Sequence, residues 1–507
     1  MGQRISLTES YWPADESEPI LDITLGQLLR EVVAEVPDRD ALVEGVPEES
    51  RRRRWTYSQL LSEAEDVAAA LLGRFKPGER IAIMAPNIPE WEILQLGMAL
   101  SGLIMVTVNP AFKQRELSYI LGQSRASALF HVEDYRGTDL TTIIEKIRPE
   151  LPELREIISI SAWNDFVGSG DRTIKLPEVK PEDPVQIQYT SGTTGFPKGA
   201  MLNHRGVVNT ARFTAERAGL ERGGTWVNAM PMYHIGGSVV AAIGTMAHQG
   251  KHVLVPGFEP GSFLELFESE RGTFSLVVPT MLLAMLNHED LPKRNLSSLR
   301  TIMSGASAVS PALVRRTKAE LGCEFSILFG QTELHGVIAT THPSDSPEDQ
   351  SETVGQPLPQ AEVKIVDIDT GEVVPVGEQG EICARGYQTM IGYFGMPEAT
   401  EEVLEADGWL HTGDLGTMDE RGYLRITGRL KDMIIRGGVN IYPREIEDLL
   451  AEHPKVASAI VVGVPDETWG EQIAGVIQAA KPDEPPTPEE LHEYCRVHLA
   501  AHKTPKL

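Results

Sequence analysis

The segment from Tyr189 to Gly199 reads Y-T-S-G-T-T-G-F-P-K-G and combines residue types that suit phosphate binding. Glycines let backbone N–H groups turn toward an anion, hydroxyl groups add neutral donors, and the lysine adds a point charge. It is not a Walker loop, because Gly199 stands where that loop has Ser or Thr, and Pro197 lacks an N–H. By composition alone, a flexible surface linker is the alternative. The residue types predict a phosphate-binding loop formed by Thr190, Ser191, Gly192, Thr193, Thr194, Gly195 and Lys198.

Three further segments carry polar or small residues where chemistry could occur. His234 lies between apolar segments, although a lone histidine beside a tyrosine is more often structural than catalytic. The other two each end a predicted strand, where glycine commonly marks a turn and an acidic residue can be a solvated carboxylate. These two are Ser304-Gly305-Ala306 and Phe329-Gly330-Gln331-Thr332-Glu333.

The C-terminal part of the chain adds an acidic turn and a basic segment that contains glycine. Asp414 ends the stretch G-W-L-H-T-G-D, and its carboxylate can accept from two vicinal hydroxyls or cap its own turn. The segment that follows, 428–443, has the composition of a hairpin with a glycine bulge. Its residues with potential for binding are Arg429, Lys431, Gly437 and Gly438.

Composition limits the classes of function. A chain of 507 residues is expected to form two or more domains. Its formal net charge of −27 argues against a nucleic-acid partner and an anionic membrane surface. We interpret the only basic run, Arg51 to Arg54, as a solvated loop. Three widely spaced cysteines, no signal core and no apolar stretch long enough to span a bilayer predict a cytoplasmic protein without a transmembrane segment; a homodimer stays open.

Hydrophobic periodicity predicts parallel strands and helices in the first part of the chain. Thr56 and Gln59 form a capping-box pattern at the start of a helix that Gly73 ends. A strand over 80–84, a helix over 89–99 and a strand over 103–108 form a βαβ unit. Similar alternation predicts strands at 128–132, 158–160, 251–255, 275–278 and 301–303.

The pattern changes after about residue 360. Short antiparallel strands are predicted at 361–367, 381–385 and 423–427, with glycine turns at Gly371, Gly408 and Gly422. A second α/β part follows: a helix from Pro443, a strand over 456–464 and a last helix to about residue 499.

Taken together, five of these segments resemble the adenylate-forming superfamily, which includes acyl-CoA synthetases, aryl-CoA ligases, luciferases and adenylation domains. T-S-G-T-T-G-x-P-K-G is the phosphate-loop signature of that superfamily, and the resemblance covers about residues 20–507. It implies an α/β fold with a large N-terminal adenylation domain, residues 1–428, which has parallel βαβ sheets and a β-rich part. A small, mobile α+β C-terminal domain with the hinge, residues 429–507, is expected to be incomplete.

The resemblance also implies roles for single residues. The loop and Lys198 would hold the phosphates of ATP, and Phe329 would pack on adenine, although tyrosine is commoner at that position. Thr332 would donate to the α-phosphate, and Glu333 would hold Mg²⁺, since hard cations prefer oxygen ligands. His234 would lie near the substrate carboxylate. The other implied nucleotide contacts are Ser304, Gly305, Ala306, Gly330 and Gln331.

In the C-terminal segments, the resemblance assigns Asp414 to the ribose and Arg429 to ribose or phosphate. Lys431 would be the pivot about which the small domain rotates between the two half-reactions. Gly437 and Gly438 would let the pantetheine arm of coenzyme A pass close to the backbone.

The reaction that the resemblance implies is the ATP-dependent ligation of a carboxylic acid to coenzyme A through an acyl-adenylate. Because no acidic residue occurs from Met230 to Gly244, an amino-acid substrate is disfavoured. The whole chain resembles bacterial medium-chain fatty-acyl-CoA synthetases most, which implies a medium- or long-chain fatty acid. We expect four glycines to leave room for it and three side chains to form an apolar wall. They are Gly236, Gly237, Gly305 and Gly330, and Val239, Val337 and Ile338.

Three alternatives stay open. An aryl-CoA ligase of the coumarate type shares every motif, and an adenylating enzyme that loads a carrier protein shares most of them. A nucleotide-binding protein without turnover is the third, because the superfamily carries a C-terminal Gly-Lys segment that does not follow Pro505 here. We expect truncation rather than natural absence of that lysine, since Leu507 resembles the start of an unfinished strand.

Overall fold

The structure, a computed structural model, describes residues 6–190, 196–305, 309–436, 439–466 and 469–507. In chain order the strands are β1 (Tyr11–Trp12), β2 (Asp40–Glu44), β3 (Arg54–Thr56), β4 (Arg80–Met84), β5 (Ile104–Val108), β6 (Ala128–His131), β7 (Asp134–Tyr135), β8 (Thr138–Asp139), β9 (Glu156–Ser159), β10 (Pro184–Thr190), β11 (Lys198–Asn203), β12 (Thr225–Asn228), β13 (Lys251–Leu254), β14 (Phe274–Val277), β15 (Thr301–Ser304), β16 (Glu324–Phe329), β17 (Ala339–Thr340), β18 (Gln356–Pro357), β19 (Glu362–Val366), β20 (Gly380–Arg385), β21 (Gly392–Tyr393), β22 (Leu410–Met418), β23 (Leu424–Arg429), β24 (Ile434–Arg436), β25 (Val439–Ile441), β26 (Val456–Asp466) and β27 (Gly470–Ala479).

The α-helices are α1 (Leu25–Glu35), α2 (Tyr57–Leu72), α3 (Pro89–Ser101), α4 (Gln114–Gln123), α5 (Leu140–Ile147), α6 (Trp163–Gly168), α7 (His204–Arg217), α8 (Ala242–Ala247), α9 (Pro260–Ser269), α10 (Pro279–Leu286), α11 (Pro311–Leu321), α12 (Asp349–Glu352), α13 (Pro397–Glu401), α14 (Pro443–Ala451) and α15 (Pro488–His498). A π-helical turn, Gly236–Ala241, precedes α8. Among the described residues, no helix combines the length and the apolar character needed to cross a membrane.

The larger of two compact units comprises Pro13–Glu362 and Ala384–Leu410 and is built on two sheets. One has the strand order β21-β11-β10-β5-β4-β6-β9, and the other β18-β17-β16-β15-β14-β12-β13-β2-β3. In both sheets the central strands are parallel. The first sheet has antiparallel strands at the β21 edge, and the second has them at both edges. This arrangement confirms the predicted α/β fold with parallel βαβ sheets.

Helices α2 and α3 show how the local sequence determines these elements. The Thr56 side chain accepts from the backbone N–H of Gln59, and the Gln59 side chain accepts from that of Thr56, so the predicted capping box is confirmed. Every residue of α3 is buried, which is expected of a helix that is apolar on most sides. A Cβ at Gly97 would lie 2.5 Å from Val67 Cγ1, so glycine allows the close packing of α3 on α2.

The basic run Arg51–Arg54 is not simply the solvated loop that its composition predicts. The side chain of Arg52 has no exposed surface, and its Nη1 donates to Glu270 Oε1 at 2.8 Å. Burial opposes the ionisation of Glu270, but hydrogen bonds from Arg54 and Lys251 outweigh it and lower the pKa of that carboxyl to about 2. The run therefore anchors β3 through buried ion pairs, which composition could not distinguish from a surface loop.

The smaller unit comprises Met1–Trp12, Val363–Cys383 and His411–Leu507. Its five-stranded sheet has the order β1-β19-β20-β22-β23, and its four-stranded sheet has the order β25-β24-β27-β26. Helices α14 and α15 contribute to a hydrophobic core in this unit that contains Ile434, Ile446, Ile473 and Cys495. The antiparallel strands after residue 360 and the helix from Pro443 are confirmed, whereas β27 was not predicted.

Gly422 and Gly371 both occupy predicted turns with positive φ, but only Gly422 lies against a side chain. Their φ angles are +81° and +72°. A Cβ on Gly422 would come within 2.1 Å of the Trp12 ring, whereas nothing lies within 4 Å of one on Gly371.

We therefore predict that Gly422→Ala destabilises the protein more than Gly371→Ala. The left-handed backbone costs about 1–2 kcal/mol for a non-glycine residue, and overpacking adds about 1–3 kcal/mol at Gly422 alone. Urea unfolding followed by circular dichroism measures both variants. Equal losses would contradict the close Trp12 contact.

Candidate functional site

The ends of the predicted phosphate loop are held by an antiparallel strand pair. In the register of β10 and β11, Thr190 lies opposite Lys198, and Thr190 Oγ1 donates to the Lys198 carbonyl at 3.4 Å. A Cβ at Gly199 would lie 2.8 Å from Ile187 Cγ2, so the two strands pack closely at this point. The loop residues Ser191, Gly192, Thr193, Thr194 and Gly195 lie outside the described residues.

Lys198 is a mostly buried cation without a strong anionic partner in the described part of the chain. Its side chain is 15% exposed, and its Nζ lies 3.9 Å from Glu402 Oε2, a carboxylate that is itself 72% exposed. Such an exposed pair contributes little. The ammonium also lies 5.0 Å from the ring centroid of Tyr393. Lys198 is therefore available to a ligand anion.

A short turn after β16 carries the predicted Thr332 and Glu333. A 3₁₀ turn, Thr332–Leu334, ends at His335, whose φ is +55°. The fully buried His335 ring accepts from the backbone N–H of Asn203 at Nε2 and donates from Nδ1 to the Gln388 carbonyl. Burial lowers the pKa of His335 to about 4, so the ring is neutral, as one donor and one acceptor require. This histidine ties the turn to β11.

Glu333 can provide an oxygen ligand to a cation. It is half-buried, and Oε1 accepts from the Tyr393 hydroxyl at 2.7 Å. Within the described ranges, no lysine or arginine pairs with it. A half-buried carboxylate without a cationic partner fits the Mg²⁺ that the resemblance implies.

The remaining predicted nucleotide contacts of this unit lie at the ends of β15 and β16. Ser304 is fully buried, and its hydroxyl has no partner among the described residues. Phe329 and Gln331 are half-buried, whereas Thr332 is buried. Ala306 lies outside the described residues. An unpaired buried hydroxyl beside a glycine is a feature expected of a polar ligand site.

His234 lies in a segment held by two buried amides. Asn87 Nδ2 donates to the Met230 carbonyl, and Gln188 Nε2 donates to that of Tyr233. The His234 side chain is exposed, yet the protein around it disfavours the imidazolium and lowers its pKa. Its Nδ1 accepts from the N–H of Gly236, so the outer nitrogen carries the proton of the neutral ring.

The expectation that four glycines leave room for a substrate is wrong for three of them. A Cβ at each of these three glycines would lie too close to a backbone carbonyl oxygen. The distance would be 2.2 Å to Pro231 from Gly237, 2.7 Å to Leu328 from Gly305, and 2.3 Å to Gly336 from Gly330. Protein backbone already fills these spaces. Only at Gly236 are the nearest atoms at ordinary contact distance, 3.4–3.6 Å. The proposed wall residues Val239, Val337 and Ile338 are fully buried.

In the smaller unit, Asp414 and Arg429 lie opposite each other on β22 and β23. Asp414 is buried, and its Oδ1 accepts from Arg429 Nε at 3.1 Å. Glu381 supports the turn before it by accepting from the N–H of Gly413 and bonding His411 Nδ1. Lys431 is exposed in a 3₁₀ turn, Leu430–Asp432. The predicted Gly437 and Gly438 lie outside the described residues.

The structure thus brings the predicted residues together in two groups, one in each unit, and adds residues that the motifs did not show. Asn87, Gln188, His335 and Tyr393 position the group in the larger unit. A signal was present for Gln188, since Gln186 and Gln188 are polar residues within an apolar strand. Tyr393 follows Lys198 by almost two hundred residues, so spacing could not relate them.

The chain is similar in sequence and in structure to several known proteins. The chain is 39% identical over 519 residues to the putative acyl-CoA synthetase YngI of Bacillus subtilis, covering 96% of this chain and 93% of that protein. It is 36% identical over 540 residues to the mitochondrial medium-chain acyl-CoA ligase ACSF2 of Danio rerio, covering 99% and 87%. The crystal structure of ATP-bound MatB from Rhodopseudomonas palustris superposes with a TM-score of 0.86 at 26% identity, covering 96% and 94%.

Two family matches cover most of the sequence. Residues 445–507 match the C-terminal domain of AMP-binding enzymes, and residues 29–394 match the AMP-binding enzyme itself. The chain belongs to the AMP-binding enzyme family.

Proposed function

We propose that the chain is an AMP-forming acyl-CoA ligase that activates a medium- or long-chain fatty acid with ATP and transfers it to coenzyme A. The observation that carries this proposal is that Lys198 and Glu333 both lie close to Tyr393, at the end of the loop 190–198. A cation for phosphates and a carboxylate for a metal are the two groups that triphosphate chemistry requires.

In the proposed first half-reaction, an oxygen of the fatty acid carboxylate attacks the α-phosphorus of ATP. A P–O bond forms, the bond to the β-phosphate breaks, and pyrophosphate leaves. Lys198 stabilises the negative charge on the phosphate oxygens, and Thr332 donates to the α-phosphate. His234, neutral because its pKa is lowered, lies beside the carboxylate without forming an ion pair that would weaken its attack.

Glu333 would hold Mg²⁺, which supplies positive charge to the phosphate oxygens of the bound nucleotide. The carboxylate suits this role because Oε1 already takes one hydrogen bond and fixes its orientation. In the smaller unit, Asp414 is the proposed acceptor for the ribose hydroxyls, with Arg429 beside it.

In the proposed second half-reaction, the sulfur of coenzyme A attacks the acyl carbonyl carbon of the adenylate. A C–S bond forms, the C–O bond to AMP breaks, and the thiol proton passes to solvent. Because thiol attack needs a different lining from phosphoryl transfer, we propose that Lys431 is the hinge between a domain of residues 1–428 and one of residues 429–507. Gly437 and Gly438 are proposed to border the pantetheine arm.

Three features support a fatty acid as the substrate. ACSF2 is named a medium-chain acyl-CoA ligase and YngI a putative acyl-CoA synthetase. No acidic residue occurs from Met230 to Gly244, where an amino group would need one. The space beside Gly236 is bordered by the apolar side chains of Met230 and Leu276 and by His234 Nδ1.

Substrate preference separates the proposed fatty acid from the alternative substrates. Pyrophosphate release and thioester formation are measured with acetate, octanoate, palmitate, coumarate and an amino acid, each with and without coenzyme A. We expect octanoate or palmitate to be preferred, with acyl-CoA and AMP as products. Lys198→Ala should lower the rate by about a hundredfold, as the loss of one charge-stabilising group does.

Lys175→Ala, which removes an exposed lysine, is the matched control and should leave the rate unchanged. A strong preference for acetate or an amino acid would reject the fatty acid, and a preference for coumarate would favour the aryl-CoA ligase. A product that stays an adenylate when coenzyme A is present would favour the loading of a carrier protein.

Alanine substitutions at Gly236 and Gly237 should have different effects on stability and on substrate preference. Gly237→Ala should destabilise the protein by about 1–3 kcal/mol, because its methyl group meets the Pro231 backbone. Gly236→Ala should keep the stability and shift the preferred acid to shorter chains, because its methyl group would occupy part of the space that His234, Met230 and Leu276 border. Thermal unfolding and the acid panel measure these effects. Similar losses of stability in both variants, or an unchanged preference in Gly236→Ala, would contradict this assignment.

A further inference from the structure

Tyr393 lies where two chain segments meet at the base of the phosphate loop. Its strand, β21, pairs with β11, so that Tyr393 lies opposite Ala200, and the N–H of Phe394 donates to the Gly199 carbonyl. The backbone of the same segment contacts the other side of the site, because the N–H of Met390 donates to the Glu333 carbonyl at 2.9 Å. The tyrosine is therefore held by backbone contacts on both sides.

The side chain of Tyr393 contacts both charged groups of the site. Its hydroxyl donates to Glu333 Oε1 at 2.7 Å, and its ring centroid lies 5.0 Å from Lys198 Nζ. Only 6% of the residue is exposed.

Lys198 and Glu333 carry opposite charges, and both lie close to Tyr393. At low solvent exposure an ammonium and a carboxylate attract each other strongly, and their ion pair would occupy both groups. In the described part of the chain, Lys198 and Glu333 form no such pair: Lys198 lies near the Tyr393 ring and 3.9 Å from the exposed Glu402 carboxylate, and Glu333 accepts from the Tyr393 hydroxyl. The tyrosine takes one oxygen of Glu333 and leaves the second oxygen for another ligand.

We propose that Tyr393 is a positioning residue for the metal: its hydroxyl orients the Glu333 carboxylate toward the Mg²⁺ that accompanies ATP. The inference rests on the proposed function, because it assigns a role to a group in the same site. It concerns a residue outside all the motifs that indicated the site.

The test compares ATP binding with and without the metal. Calorimetry measures the affinity for ATP in excess Mg²⁺ and in EDTA for the wild type, Tyr393→Phe, Glu333→Gln and the double variant. Tyr393→Phe keeps the ring and loses only the hydrogen bond. We expect a loss of about ten- to a hundredfold in affinity for ATP with Mg²⁺, as for a hydrogen bond to a charged group, and no change for ATP in EDTA.

The double variant tests whether Tyr393 acts through Glu333. If it does, Tyr393→Phe adds no further loss in the Glu333→Gln background. Raising the Mg²⁺ concentration should also restore pyrophosphate release by Tyr393→Phe. Tyr387→Phe is the matched control, because Tyr387 is a half-buried tyrosine of the same connecting segment that packs on Phe213, and it should bind as the wild type does.

Two outcomes would overturn the inference. Tyr393→Phe could bind ATP with Mg²⁺ as the wild type does while Glu333→Gln binds it weakly, or it could weaken ATP binding equally in EDTA, as a general packing defect would. Failure of the proposed function looks different. In that case the wild type itself binds no ATP, or it binds ATP equally well with and without Mg²⁺.

Discussion

The position of β11 between β10 and β21 is the constraint on which the candidate site depends. Lys198 is the first residue of β11, so its pairing with Thr190 sets where the phosphate loop begins and ends. The pairing of β11 with β21 places Tyr393 beside the same lysine. Backbone hydrogen bonds of a sheet fix such positions better than side-chain contacts on a loop can. Two distant parts of the chain, the β10–β11 pair and β21, thereby meet at one cation.

Buried neutral polar groups connect this sheet to the rest of the site. Asn87 and Gln188 hold the segment of His234, and His335 joins the turn of Glu333 to the backbone at Asn203. Each of these side chains has hydrogen-bond partners, which offsets the cost of its burial. Because these connectors are neutral, they add no net charge beside Lys198 and Glu333, the groups that would meet the nucleotide.

Structural features that depend on neighbouring residues could be predicted from the sequence, whereas contacts between residues far apart in the sequence could not. The capping box of α2, the βαβ unit and the glycine turns follow from local pattern, and all are present. The burial of Arg52 depends on Glu270, more than two hundred residues away, and the close approaches at Gly237 and Gly330 depend on backbone that spacing cannot locate. For the same reason Tyr393 was missed, while Lys198 and Glu333 were found through their motifs.

The most direct test of the account is a crystal structure of the protein with ATP and Mg²⁺. We expect the triphosphate to lie along the segment between Thr190 and Lys198. The ammonium of Lys198 should contact a phosphate oxygen, and a carboxylate oxygen of Glu333 should contact the metal. A nucleotide bound in another cleft, with Lys198 and Glu333 both free of it, would contradict the account.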